Sequence, residues 1–106
     1  MADSRVNVAP ESRHGEAFEV RISIRHAMET GYRTDSVGAV IPRNVIQRFT
    51  CRYNGEPVFA VRMGPGIAAN PYLRFFVIAR ESGTLDFDWI DDAGVRGTAQ
   101  AAIRVV

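Results

Sequence analysis

Apart from Met1, the soft and imidazole side chains of this sequence that are able to bind a metal are few and far apart. They are His14, His26, Met28, Cys51 and Met63. A cupredoxin-like copper site needs two histidines, a cysteine and usually a methionine, with one histidine soon after the cysteine. No histidine follows Cys51 in the chain. We therefore expect neither a metal nor another cofactor.

The segment "RHAMETGYR" at 25–33 places a histidine, a methionine, a glutamate and a glycine close together. Its His26 and Met28 resemble the His-Pro-Met loop of superoxide reductases. Those enzymes bind iron through several histidines and a cysteine near a histidine, a set that this chain lacks. The segment is predicted to be the exit from a strand into a long shaped loop, with Gly31 in a conformation that other residues disfavour.

Other reactive groups have ordinary structural explanations. Cys51 lies on the apolar face of a predicted strand, where a thiol has no reason for a lowered pKa. Asp86 and Asp88 share the outward face of another strand, and Asp91-Asp92 belongs to a turn. The outward arginines could bind a sulfate-like or carboxylate group, but such residues are more often solvated or paired; they are Arg21, Arg25, Arg48 and Arg52. The residue types therefore favour a protein that is not an enzyme.

These residues lie in a chain whose hydrophobic pattern has a period of two, which is typical of strands with one dry face. Asn54-Gly55 between two such runs predicts a hairpin. A second hairpin is predicted over 71–91 with its turn at 81–83, and a third turn at 91–94. Six or seven short strands predict one antiparallel sandwich or small barrel over residues 1–106, with 1–15 as a loose N-terminal arm.

One predicted strand, "PYLRFFVIAR" at 71–80, is apolar on both faces. A sandwich would leave the second face in water, and such a patch marks an interface. The residues predicted to form it are Ile46, Val58, Tyr72, Phe76 and Ile78. The alternative is that the long loop at 26–44 covers this face.

Bulk composition excludes several function classes. The net charge of +1 gives no electrostatic case for nucleic acid or an anionic membrane surface. No apolar run approaches the roughly 18 residues of a membrane span. All thirteen basic residues are arginine, which removes lysine-based covalent catalysis. We also find no secretory signal in the first residues.

Three motif blocks resemble the SoxZ family: "HAMETGYR" at 26–33, "IPRNVIQRFTCRYNGEPVF" at 41–59 and "GIAANPYLRFFVIARESGTLDFDWIDDAG" at 66–94. They match the family pattern in order and spacing from about residue 16 onward. The sequence departs from that pattern at Ala27, where the family usually has proline, so the loop should be less rigid.

The resemblance implies an immunoglobulin-like β-sandwich that forms a heterodimer with SoxY. SoxY, rather than this chain, would carry sulfur intermediates of thiosulfate oxidation on a cysteine in its C-terminal arm. This chain would be a non-catalytic scaffold with transient contacts to Sox enzymes, namely a c-type cytochrome, a sulfate hydrolase and a sulfane dehydrogenase. It would reach the periplasm folded together with SoxY.

Within this interpretation, His26, Met28 and Glu29 are predicted to form a docking loop. Three alternatives remain at this stage: a metal- or ligand-binding β-domain, a thiol carrier that uses Cys51, and a subunit of a SoxYZ-like carrier in another pathway.

Overall fold

The computed structural model describes residues 4–64 and 66–106, and within them it contains eight strands and no helix. The strands are β1 (Ser4–Val8), β2 (Glu11–Ser12), β3 (Ala17–Ile24), β4 (Ile46–Tyr53), β5 (Glu56–Arg62), β6 (Tyr72–Ile78), β7 (Gly83–Asp91) and β8 (Arg96–Val105). The predicted all-β sandwich is confirmed, with eight strands where about seven were expected.

Two sheets pack face to face. The smaller sheet has the order β1-β3-β6, and the larger has the order β2-β8-β7-β4-β5. All pairs are antiparallel except the short parallel pair of β2 and β8. The core between the sheets centres on Phe49, which is fully buried and contacts an aromatic ring from each of β5, β6 and β7.

The turns explain the connections between neighbouring strands. Asn54 and Gly55 both have positive φ, 49° and 87°, as a tight hairpin between β4 and β5 requires. The turn at 91–94 joins β7 to β8, as predicted. The predicted hairpin at 71–91 is wrong, because β6 pairs with β3 while β7 pairs with β4 and β8. The segment between β6 and β7 instead crosses from one sheet to the other.

Two further expectations need correction. The N-terminal segment is not a loose arm over its described part, because β1 pairs with β3 and β2 pairs with β8; residues 1–3 lie outside the described residues. Ile46 does not face outward but is fully buried, as is Val45. A register shift in the β4–β7 pairing between Ile46 and Arg48 breaks the strict alternation and turns both side chains inward.

The long loop between β3 and β4 forms a projection that we call the arm, residues 29–44. Its two limbs are joined by bridges between Glu29 and Asn44 and between Thr34 and Val40. At its tip, the Asp35 carboxylate accepts hydrogen bonds from the backbone N–H groups of residues 37 and 39. The molecule is 58 Å long and 22 Å wide. Strands of eight to ten residues cover about 26–33 Å, and the arm extends beyond them.

Candidate functional site

The base of the arm is fixed by His26, whose two ring nitrogens are both occupied. The backbone N–H of Met28 donates to Nδ1 at 2.9 Å. Nδ1 is therefore the acceptor, and the proton sits on Nε2, which donates to Oδ2 of Asp91 at 3.1 Å. The backbone of His26 is held as well, because it exchanges two hydrogen bonds with Asn70. This imidazole is a structural clamp.

Asp91 is the one buried charged side chain in the described part of the chain. Burial by itself raises the pKa of this carboxyl group. Hydrogen bonds from His26, from the backbone N–H of Val95 and from the Asn44 side chain act in the opposite direction and leave the pKa below its ordinary value. The carboxylate is therefore charged and satisfied at neutral pH.

Met28 lies in the core, with only 3% of its surface exposed. Its φ of 51° is in the left-handed region, which non-glycine residues adopt rarely. Its sulfur accepts the backbone N–H of Ile46 at 3.4 Å, so the side chain joins the base of the arm to β4. Gly31 has the positive φ expected of it, 90°, and approaches the other limb closely at Arg43.

A second carboxylate, Asp92, also stabilises the base of the arm, where it binds residues at the end of the arm and the start of β4. It accepts hydrogen bonds from the Gln47 side chain at 2.7 Å and from the backbone N–H of Val45 at 3.1 Å. Those bonds, with a further contribution from the Arg43 guanidinium, hold the pKa of Asp92 below its usual range.

The docking loop predicted at His26, Met28 and Glu29 is thus committed to internal contacts. Met28 is buried, His26 is clamped, and the Glu29 carboxylate binds Arg33 at 2.6 Å. The partners Asp91, Asn44 and Asn70 have no signal in the local sequence around His26. Asp91 did stand out as part of a turn, but the turn alone did not reveal its contact with a residue 65 positions away.

The second apolar face of β6 is exposed, and the arm does not cover it. We call its three side chains, Tyr72, Phe76 and Ile78, the β6 face; each is half or more exposed. On the neighbouring strand the same face is polar, and Arg74 lies over the Phe76 ring at 5.5 Å. Arg74 and Arg21 both bind Glu19 and hold the pKa of this carboxyl group low.

Val58, also predicted for this surface, belongs to the other sheet. It is the extra residue of a bulge in β5, between the pairs Cys51–Phe59 and Arg52–Pro57. Phe59 of β5 stacks on Phe75 of β6 at 4.1 Å, so the two strands meet across one side of the sandwich. Each is the last strand of its sheet. Val58 therefore extends the exposed apolar surface around this open side.

Cys51 is fully buried in the core. Burial raises the pKa of its thiol to about 12, and the negative charges of Asp86 and Asp88 add to this. The thiolate, which is the reactive form, is therefore negligible at neutral pH. Cys51 lies in the middle of β4, where it cannot swing between binding sites.

The outward charged residues mostly have partners. Asp88 binds Arg52 at 2.6 Å, and Asp86 accepts a hydrogen bond from Gln100. Across residues 4–64 and 66–106, no three histidine, cysteine or carboxylate side chains converge as metal ligands would. Within the same residues there is also no helix with the length and apolar character needed to span a membrane.

The architecture resembles two kinds of solved structure. The superoxide reductase (neelaredoxin) from Ignicoccus hospitalis superposes with a TM-score of 0.72 at 17% identity, covering 97% of this chain and 80% of that one. The sulfur carrier protein SoxY from Chlorobium limicola f thiosulfatophilum superposes with a TM-score of 0.69 at 8% identity, covering 100% of this chain and 81% of that one. At such identities the likeness shows the fold alone. A search of curated proteins finds no match.

The class of protein is therefore an immunoglobulin-like β-sandwich with a clamped arm and an exposed apolar edge. The model of the family described as "Sulphur oxidation protein SoxZ" matches residues 6–102. The chain belongs to the SoxZ family.

Proposed function

We propose that this chain is the non-catalytic subunit of a SoxYZ carrier complex. It binds SoxY, whose C-terminal arm cysteine carries the sulfur intermediates of thiosulfate oxidation. The observation that carries the proposal is the β6 face, an apolar surface exposed on the last strand of a sheet in a member of the SoxZ family.

The surroundings of the β6 face fit a protein interface. Arg74 lies on the same face between Tyr72 and Phe76, and together with Arg21 it binds Glu19 of the neighbouring strand. Exposed aromatic side chains beside an arginine are typical of protein interfaces. A stable interface buries about 800 Å² on each partner. Three side chains supply only part of that area, so we place the rest on the open side of the sandwich around Val58.

The burial of the Cys51 thiol supports the proposal that SoxY, and not this chain, carries the sulfur intermediates. A carrier group has to reach several enzyme pockets, which requires a flexible segment and an accessible sulfur. Cys51 has neither property, since it is fully buried within a strand. The covalent cargo is therefore assigned to SoxY.

Co-expression with SoxY from the same organism tests the proposal. We expect a stable 1:1 complex that the change Ile78→Asp weakens by about a hundredfold, because it places a charge in an apolar interface. Ile78 pairs with Ala17 across the sheet, so the new carboxylate meets no like charge there. The matched control is Ala102→Asp on the exposed face of the other sheet.

Two results would contradict this assignment. The first is a chain that stays alone beside its own SoxY. The second is equal binding by the Ile78→Asp and Ala102→Asp variants, which would move the interface elsewhere. Circular dichroism of each purified variant separates loss of binding from loss of folding.

Transient docking of Sox enzymes is assigned to the arm. Its apolar side chains Tyr32, Val37 and Val40 are exposed, with Tyr32 at 89%. The pair of changes Tyr32→Ser and Val37→Ser should leave SoxY binding intact and slow thiosulfate-dependent turnover of the reconstituted system. Unchanged turnover at limiting carrier concentration would exclude the arm.

We further propose that the complex works in the periplasm, and that this chain is exported folded with SoxY. The support is its membership of the SoxZ family. Deleting the signal segment of SoxY should then retain both proteins in the cytoplasm, as cell fractionation would show. Export of this chain without SoxY would overturn the proposal.

A further inference from the structure

A group of arginines surrounds one pocket on the outer face of the larger sheet, away from the β6 face. The pocket has a volume of about 390 Å³ and is lined by Arg43, Gln47, Arg48, Arg62 and Met63. A backbone hydrogen bond from Met63 to Gln47, 2.8 Å long, closes its base. Met63 is largely buried beneath it.

Arg48 and Arg62 are direct cross-strand partners in the pairing of β4 with β5. Like charges in this relationship repel each other and destabilise a sheet. Neither side chain forms an ion pair within the described residues, whereas Arg21, Arg33, Arg43, Arg52, Arg74 and Arg104 all do. The charge of this cross-strand pair is therefore not neutralised by the chain itself.

The third arginine is held in place. Arg43 uses its Nε to bind Asp92 at 3.1 Å, and Asp92 is in turn fixed by Gln47 and by the backbone of Val45. The other guanidinium nitrogens of Arg43 remain available for a ligand, because a guanidinium has five N–H donors. Three guanidinium groups and one carboxylate leave a local charge of +2 around the pocket.

We propose that this pocket binds a tetrahedral oxyanion of the sulfate class. A dianion matches the local charge and relieves the repulsion between Arg48 and Arg62, and its several oxygens accept paired N–H donors from planar guanidinium groups. The amide of Gln47 adds a neutral donor. The ligand can be a free dianion, such as sulfate or thiosulfate, or the sulfonate end of a larger molecule, which presents three oxygens in a similar geometry but carries a single negative charge.

Isothermal titration of the full chain tests this inference. The probes are sodium sulfate, sodium thiosulfate and S-sulfocysteine, each compared with sodium chloride at the same ionic strength. We expect saturable 1:1 binding. Binding of sulfate or thiosulfate identifies the free ion as ligand, and binding of S-sulfocysteine alone identifies a sulfonate attached to a thiol. No probe binding better than chloride would overturn the proposal.

The changes Arg48→Gln and Arg62→Gln should each weaken binding by about tenfold, since each removes a charge-assisted hydrogen-bonding group. The control is Arg80→Gln, which removes the same charge at the other end of β4, where Arg80 lies beside Tyr53. An equal loss in the control would show diffuse charge screening and sink the proposal.

If a variant fails to fold, NMR spectroscopy of the wild-type chain still tests the proposed site. The side-chain Nε–H resonances of Arg48 and Arg62 should shift on titration with the bound probe, while that of Arg80 should not. Equal shifts at all arginines would again mean screening. Because SoxY binding is assigned to the β6 face, failure of this site leaves that assignment intact, and the reverse also holds.

Discussion

The Nε2 atom of His26 lies 3.1 Å from Oδ2 of Asp91 and joins residues that are 65 positions apart in the sequence. His26 lies two residues beyond the end of β3, where the chain leads into the arm, and Asp91 is the last residue of β7. Histidine and aspartate are residue types that often form a reactive centre, but in this protein the pair has a structural role. The contact holds the arm to the sandwich, and its loss should be measurable as lost stability.

Replacing His26 by alanine should lower the free energy of unfolding by about 1–3 kcal/mol, because the buried Asp91 carboxylate loses a hydrogen-bond donor. Urea denaturation measures the loss, and limited proteolysis should show faster cleavage within the arm. His14→Ala is the control, since the His14 side chain is exposed and should change stability by less than about 0.5 kcal/mol. Equal stability of the two variants would contradict the role of the clamp.

Asp91 should make the fold sensitive to acid. Its folded pKa lies below the ordinary 3.8, so its charged form contributes stability that is complete above that value and is lost as pH falls through the folded pKa. Asp91→Asn should therefore be less stable than wild type at pH 7, and the difference should shrink toward pH 2. Urea midpoints measured across this range give the test.

Glu16→Gln serves as the control for that experiment, because Glu16 is exposed and forms no ion pair within the described residues. The Asp91→Asn variant should itself keep some acid sensitivity, since Glu19, Glu29 and Asp92 also have lowered pKa values. A constant gap between Asp91→Asn and wild type at all pH values would refute the linkage.

Cys51 should be chemically silent in the folded protein. Burial raises its pKa to about 12, so a thiol reagent such as DTNB should react with it at pH 8 only after urea is added. The same protein incubated with thiosulfate and the Sox enzymes should show no mass increase on this chain. A sulfur adduct on Cys51 would contradict the assignment of cargo to SoxY.

The indole ring of Trp89 packs directly on Gly97, in the space that a side chain at position 97 would occupy. A Cβ atom built on Gly97 would lie 2.1 Å from the indole ring, so Gly97→Ala forces the ring to move. We expect a loss of about 1–3 kcal/mol in unfolding free energy. Trp89 is the only tryptophan, so its fluorescence reports the displacement directly.

Gly64→Ala is the control for this change, because a Cβ atom on Gly64 meets nothing within 4 Å. It should leave both the stability and the fluorescence unchanged. Should Gly97→Ala behave in the same way, the packing of the indole on the glycine would be refuted.

Local sequence patterns predicted much of the fold. Alternation places Phe18, Val20, Ile22 and Ile24 on the buried side of β3, and the structure confirms it. Asn54-Gly55 predicted its hairpin because positive φ is a local property of those residues. Such features depend on neighbours in the chain and can be recognised without knowing the tertiary structure.

The predictions that were wrong concern features that depend on contacts between residues far apart in the sequence. The hydrophobic pattern of 71–91 is the same for a hairpin as for two strands in different sheets, and only pairing with β3 and β4 distinguishes them. Ile46 faces inward because of a register shift that alternation cannot reveal. The roles of His26 and Met28 depend on Asp91 and on the backbone of β4, so their residue types alone suggested a surface loop.

The arm described above is attached at its base through the His26 clamp, the Met28 side chain and the Glu29–Asn44 bridge. Its outer portion, residues 30–42, is largely exposed. Evolution can therefore lengthen, shorten or rewrite this outer portion without disturbing how the sandwich folds. For the experimenter, an epitope or a fluorophore inserted at residues 36–38 should leave the fold intact while it interrupts the docking surface around Val37.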